Sequence, residues 1–180
     1  VGLGEDRNYY LIDMIRDKLS LSERATRLIS LHGQYRPVTV GYEKYGIQGD
    51  IQYIQERMDT EQYRFRIDEL GGSMAKNDRI LSWLQPLFAD RRFYIPETLV
   101  KQTYDRRQVD LMLSFVQDEY LAFPFLTHDD MLDCLARIND PSLAASFPKE
   151  YTGGGLNERW ADDVVDDTKY DFDTYEALEA

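Results

Sequence analysis

The sequence predicts an α/β domain built on a mixed β-sheet flanked by helices. Short β-rich runs such as YYLIDMI (residues 9–15) and VTVGY (residues 38–42) alternate with longer stretches whose apolar residues recur at helical spacing. The resulting order of strand, helix, strand, helix is the one that packs helices against the faces of a sheet. The length of 180 residues, 43% of them hydrophobic, suffices for one ordinary domain with a core and is short for two.

Residues 1–17 read as the end of one strand, a turn at Gly4-Glu5-Asp6-Arg7-Asn8 and a second strand from Tyr9 to Ile15. Ser20 followed three residues later by Glu23 is a capping-box pattern, and Ala25, Leu28, Ile29 and Leu31 behind it predict a helix ending near Gly33. Pro37 opens a short buried strand, VTVGY, and a second helix is expected from about Asp50 to Met58 with Ile51, Ile54 and Met58 on one face. Tyr63 to Ile67 alternates as a strand does, and Gly71-Gly72 closes it. A helix of about Ala75 to Phe88, bent at Pro86, leads to a strand around Phe93-Tyr94-Ile95. The last two helices are expected over Arg107 to Leu121 and Thr127 to Ile138. No internal repeat is present.

The net charge of -12 weighs against a nucleic-acid partner, because phosphates need lysines and arginines. The charge is uneven, however: residues 151–180 carry nine acids against two bases, which leaves -5 for residues 1–150. The domain is therefore expected to span 1–150 and to be followed by an acidic, mobile tail over 151–180, in which Trp160, Val164 and Val165 are the apolar residues able to dock elsewhere. The single cysteine, Cys134, allows neither a disulfide framework nor a thiolate zinc site and fits a reducing compartment. No apolar run approaches the roughly 18 residues that span a bilayer, and residues 1–10 lack the pattern of a signal peptide, so no membrane is expected among the partners.

Two groups of acids carry chemistry. Glu43 stands at the carboxyl end of the predicted strand VTVGY, where open α/β sheets place functional groups, although a solvated loop acid occupies such a position as easily. In THDDMLDCLARI (residues 127–138), Met131, Leu132, Leu135 and Ile138 form an apolar stripe, while Asp129, Asp130 and Asp133 share one end of the helix. Acids in a first helical turn also offset the macrodipole, and Thr127 with Asp130 makes a capping-box-like pair. Three carboxylates beside a histidine repel one another unless a cation relieves them, and hard oxygen ligands of this kind suit Mg²⁺ or Mn²⁺. His128 is a candidate outer ligand or proton carrier. Lys76 and Arg79 at a helix start, and Arg91 and Arg92 beyond its end, are candidate phosphate contacts, with solvated helix termini as the alternative.

The run EYLAFPFLTHDDMLDCLARI (Glu119 to Ile138), with VTVGYEKYGIQGDIQYI (Val38 to Ile54) and KNDRILSWLQPLFADRRFYIP (Lys76 to Pro96), resembles the carboxyl-terminal nuclease domain of tailed-phage terminase large subunits. The similarity covers roughly residues 1–145, and HDDMLD with the preceding FP is its most specific part. The resemblance implies an RNase H-like fold, shared with Holliday-junction resolvases, and an acid cluster that binds divalent metals. By position it makes Glu43 the second acid, Asp130 the acid that opens the last helix, and Asp129 and Asp133 auxiliary acids. The first acid is expected on a strand upstream of Val1, and the packaging ATPase is expected upstream as well, since no GxxxxGK[ST] loop occurs here.

What the resemblance implies is a DNA endonuclease that cuts concatemeric viral genomes during packaging. Two metal ions would activate a water and stabilise the leaving 3′ oxygen. The implied partners are double-stranded DNA, the packaging ATPase, the portal and the small terminase subunit, with the enzyme at the procapsid portal in the host cytoplasm. A resolvase or transposase-like nuclease and a non-catalytic interaction module of the packaging motor are the alternatives.

Overall fold

The computed structural model describes residues 1–43, 49–72, 74–125 and 129–149. Thr127, His128 and the tail lie outside the described residues. A hairpin opens the chain: β1 (Gly2–Leu3) runs antiparallel to β2 (Tyr9–Tyr10). Its turn is closed by Gly4 N–H donating to the Asn8 carbonyl and by the Asp6 carboxylate accepting from Asn8 N–H, with Arg7 at φ 65°.

The capping box is present as the sequence predicts. The Ser20 side chain accepts from Glu23 N–H, Glu23 accepts from Ser20 N–H, and α1 runs Leu21–Tyr35. It passes through Gly33 and stops at Arg36, which turns left-handed (φ 43°) ahead of Pro37, a residue with no N–H to extend the ladder. The next strand, β3, is only Gly41–Glu43, and Val38 is fully exposed, so VTVGY is not a buried strand. After α2 (Gly49–Thr60), Tyr63, Phe65 and Ile67 alternate toward the interior without a strand partner; the ladder begins later, at β4 (Asp68–Leu70), parallel to β3. Ala25, Ile29, Ile54 and Met58 form a small core of their own beneath these residues.

The expected helix before Pro86 is three pieces in line: α3 (Lys76–Arg79), a π-helical turn Ile80–Leu84 and α4 (Gln85–Ala89). Pro86 has no N–H for the carbonyl four residues back, and the turn before it widens so that Gln85 N–H reaches the Ile80 carbonyl. Strand β5 (Phe93–Tyr94) then pairs parallel with β2, giving a three-stranded sheet β1-β2-β5.

Residues 100–110 correct the expected helix start at Arg107. They form a hairpin, β6 (Val100–Gln102) with β7 (Gln108–Asp110), whose turn carries Arg106 at φ 63°. Helix α5 (Leu111–Ser114) cannot start earlier because Asp110 caps it, its Oδ1 accepting from Met112 N–H at 2.9 Å and from Leu99 N–H at 3.0 Å. It continues as a π-helical segment, Phe115–Tyr120. The last helix, α6 (Asp130–Ala136), gives way to 3-10 turns at Arg137–Asn139 and Pro141–Leu143.

The fold class is thus mixed α/β, with three small sheets among the described residues in place of one continuous sheet. The main core lies between the β2/β5 strands and these last helices, where Leu84, Phe115, Leu132 and Ala136 are all at most 2% exposed. Against this core α6 has almost no freedom to shift, which fixes the acids it carries.

Candidate metal and charge site

One edge of α6 carries Asp130, Asp133 and, a turn later, Arg137, and each is met by an opposite charge. Lys76 Nζ lies 2.5 Å from Asp129 Oδ1 and 3.3 Å from Asp130 Oδ1. One turn on, Arg79 grips Asp133 with a two-pronged pair, Nε to Oδ1 and Nη2 to Oδ2, both at 2.7 Å. The two contacts share a sequence separation of 54, so α3 and α6 run side by side in the same direction with their charges in register. Burial opposes the Lys76 ammonium, but Asp129 and Asp130 outweigh it and raise its pKa.

Arg137 is the hub at the other end. Its Nη2 donates to Glu43 Oε1 at 2.6 Å, its Nη1 to Asp140 Oδ2 at 2.8 Å, and it reaches the Gly71 carbonyl. Burial works against its charge, and the two carboxylates more than compensate, so its pKa rises. This contact ties the end of β3 to α6 across 94 positions. Gly41 permits the approach: a Cβ there would stand 2.5 Å from the Leu70 side chain and 2.9 Å from that of Leu143.

The start of α6 has no cap from Asp129. Glu119 supplies one from the π-helical segment: its Oε2 accepts from Met131 N–H at 2.9 Å and Leu132 N–H at 3.0 Å, two donors that a helix start leaves unpaired. Glu119 is fully buried, Arg16 stands 3.5 Å from its Oε1, and that oxygen accepts no hydrogen bond. Burial pushes the carboxyl pKa up, against the pull of the Leu132 and Met131 N–H groups and of Arg16.

The predicted acids are therefore sorted by the structure. Glu43 is brought through Arg137 to the 3-10 turn that continues α6, while Asp130 opens α6 seven positions earlier. Asp129 and Asp130 sit together over Lys76. Among the described residues no three His, Cys, Asp or Glu side chains gather closely enough to hold a metal.

Tested against a hard divalent cation, the donors fit unequally. The side chains of Glu43 and Asp130 are 45% and 66% exposed, and among the described residues each has only one oxygen engaged, so each can take a ligand role. Asp133, with both oxygens held by Arg79 and its side chain 10% exposed, offers a metal no free oxygen as placed.

Of the four basic candidates, Lys76 and Arg79 are neutralised by these aspartates. Arg91 and Arg92 pair with no carboxylate among the described residues, and Arg92 packs instead against Tyr9 and Phe147.

Arg137, Asp140 and Glu119 were not singled out in the sequence. Glu119 had a readable signal, since it continues the apolar stripe of Met112 and Phe115 at helical spacing, and an acid on such a stripe requires a buried partner. Arg137 follows Asp133 by four positions within an otherwise buried segment, a weaker sign of the same kind. Compared with protein-family models, curated proteins and solved structures, the chain matches none. None of the described helices is long and apolar enough to cross a membrane.

Proposed function

We propose that this domain is a divalent-metal-dependent DNA endonuclease of the terminase large-subunit kind, with an RNase H-like core. The observation that carries the reading is the delivery of Glu43, from the end of β3, to the 3-10 turn that continues the helix opened by Asp129 and Asp130. The ion pair with Arg137 places Glu43 there and, among the described residues, leaves its second oxygen free, and a metal centre draws acids together from remote positions in this way. Glu43 and Asp130 are the ligands proposed for Mg²⁺ or Mn²⁺, with Asp129 beside them. The bound cation supplies a water of lowered pKa and charge neutralisation at the phosphodiester.

The protein's own part is to hold the carboxylates in place. Arg137 fixes one oxygen of Glu43 and leaves the other free, and Lys76 lessens the repulsion between Asp129 and Asp130 while no cation is bound. Asp133 and Arg79 anchor the helix. Double-stranded DNA is the proposed substrate, and the packaging ATPase, portal and small terminase subunit are the proposed partners, at the procapsid portal in the host cytoplasm.

A second reading has an observation in its favour. The pairing of Asp133 with Arg79 and of Asp129 and Asp130 with Lys76 is also what a non-catalytic interaction module would use to join two helices. Nicking of supercoiled plasmid in Mn²⁺ separates the two. The nuclease reading expects metal-dependent nicking that Glu43→Gln or Asp130→Asn abolishes while the fold is kept. Nicking that survives either substitution, or its complete absence from a chain extended upstream to include the first acid, favours the interaction module.

A further inference from the structure

Arg7 and Arg92 meet at the Phe147 ring, and Arg91 precedes Arg92 in the chain. Arg92 Nη2 donates to the Arg7 carbonyl, and its guanidinium lies 5.9 Å from the ring centres of both Tyr9 and Phe147. The Arg7 guanidinium stands 5.7 Å from the same Phe147 ring. Two arginines thus pack on one aromatic side chain, which is itself set edge-on against Tyr9 at 5.1 Å. Arg91 adjoins them and is exposed.

None of the three makes an ion pair with a carboxylate among the described residues, in a chain whose net charge is -12. The nearest acids in sequence do not change this. Asp6 is occupied by Asn8 and the Tyr10 hydroxyl, and Glu5 and Asp90 are exposed without pairing to these arginines. Arg7 (φ 65°) and Arg91 (φ 55°) also sit at turn tips in left-handed backbone, where glycine is favoured by about 1 kcal/mol. A guanidinium held over a ring by cation–π attraction keeps N–H donors that can pair with a phosphate's oxygens.

We infer that Arg7, Arg91 and Arg92 are the surface that holds the phosphodiester backbone of double-stranded DNA, and that Lys76 and Arg79, neutralised by aspartates, are not. The inference rests on the proposed nuclease reading for the identity of the anion. It moves the DNA contact from the start of α3 to the turns between β1 and β2 and between α4 and β5.

The test is anisotropy of a labelled duplex with the full chain in EDTA, at rising salt, for the native protein and for Arg7→Gly, Arg91→Gly, the pair together and Lys76→Ala. Glycine suits the backbone at both turn positions, so the variants keep the fold, and a thermal melt checks that they do. Each arginine variant is expected to lower the slope of log affinity against log salt by about 1, and the pair by about 2, with at least a tenfold loss at low salt. Lys76→Ala is expected to leave the slope unchanged. Native binding with the same slope in the arginine variants overturns this inference alone and leaves the nuclease reading standing. A native chain that binds no duplex overturns both, and tighter binding of polyglutamate than of duplex overturns it in favour of an acidic protein partner.

Discussion

Glu119→Ala should destabilise the protein by about 3 kcal/mol. The substitution removes the acceptor that Met131 and Leu132 N–H share, at 2.9 and 3.0 Å, at a fully buried position. A buried donor left without an acceptor costs about 1–3 kcal/mol, and two are exposed to that cost here. Glu119→Gln keeps a carbonyl oxygen for the two N–H groups and sheds a buried charge whose desolvation outweighs the attraction of Arg16, so it should cost far less than the alanine variant at neutral pH. Urea unfolding read by circular dichroism gives both numbers, through a lowered midpoint at unchanged slope. The pH dependence follows from the direction of the shift. Burial raises the folded-state pKa above the unfolded value, so the folded protein binds the proton more tightly. The native chain should therefore gain stability relative to Glu119→Gln as pH falls from neutral through the raised folded pKa toward the ordinary carboxyl value, and lose it as pH rises. A relative loss of stability on acidification would show that the helix N–H groups and Arg16 dominate instead, and would refute the reasoning.

Two further outcomes are expected. Breaking the Arg79–Asp133 pair from one side, by Asp133→Ala, should cost about 3–5 kcal/mol because it strands a guanidinium whose side chain is only 5% exposed; Arg79→Met with Asp133→Leu should recover most of it. Urea midpoints for the double-mutant cycle check this, and a single-variant cost under about 1 kcal/mol contradicts it. Cys134 is reached by solvent, while the protein packed around it and the charge of Asp133 push its thiol pKa up. Maleimide labelling of the native protein should therefore proceed without denaturant, slowly at neutral pH and faster as pH rises above the usual thiol range; labelling that requires unfolding counts against the exposure.

Local chemistry was legible in the sequence wherever a few neighbouring residues decide the outcome. Ser20 and Glu23 announced α1, and Phe93-Tyr94 announced a strand, because caps and β-rich runs are written within a few positions. The 100–110 hairpin was missed because its strands are three residues each and its Asp110 cap depends on a contact with Leu99. The short ladders of β3 and β4 were displaced from the alternating segments for a related reason: Tyr63, Phe65 and Ile67 pack on helices, not strands.

The site shows the same division. Glu43, Asp129 and Asp130 were visible as acids at element ends, but their partners were not, since Lys76, Arg79 and Arg137 meet them only through helix register across 54 and 94 positions. The sequence treated Arg79 as a DNA contact because a basic residue at a helix start looks exposed. Its burial is a property of the α3–α6 packing alone.

The central claim is that Glu43 and Asp130 serve a divalent cation together, and Mn²⁺ titration of the native chain followed by electron paramagnetic resonance tests it most directly. Free Mn²⁺ gives a sharp signal that broadens on binding, so uptake is read without any need for cleavage. The account predicts binding to the native protein that Glu43→Gln and Asp130→Asn each weaken by at least about tenfold, the loss expected when a site's ligand or its supporting partner is removed. Mn²⁺ that remains free at every protein concentration, or uptake that neither substitution changes, would contradict it.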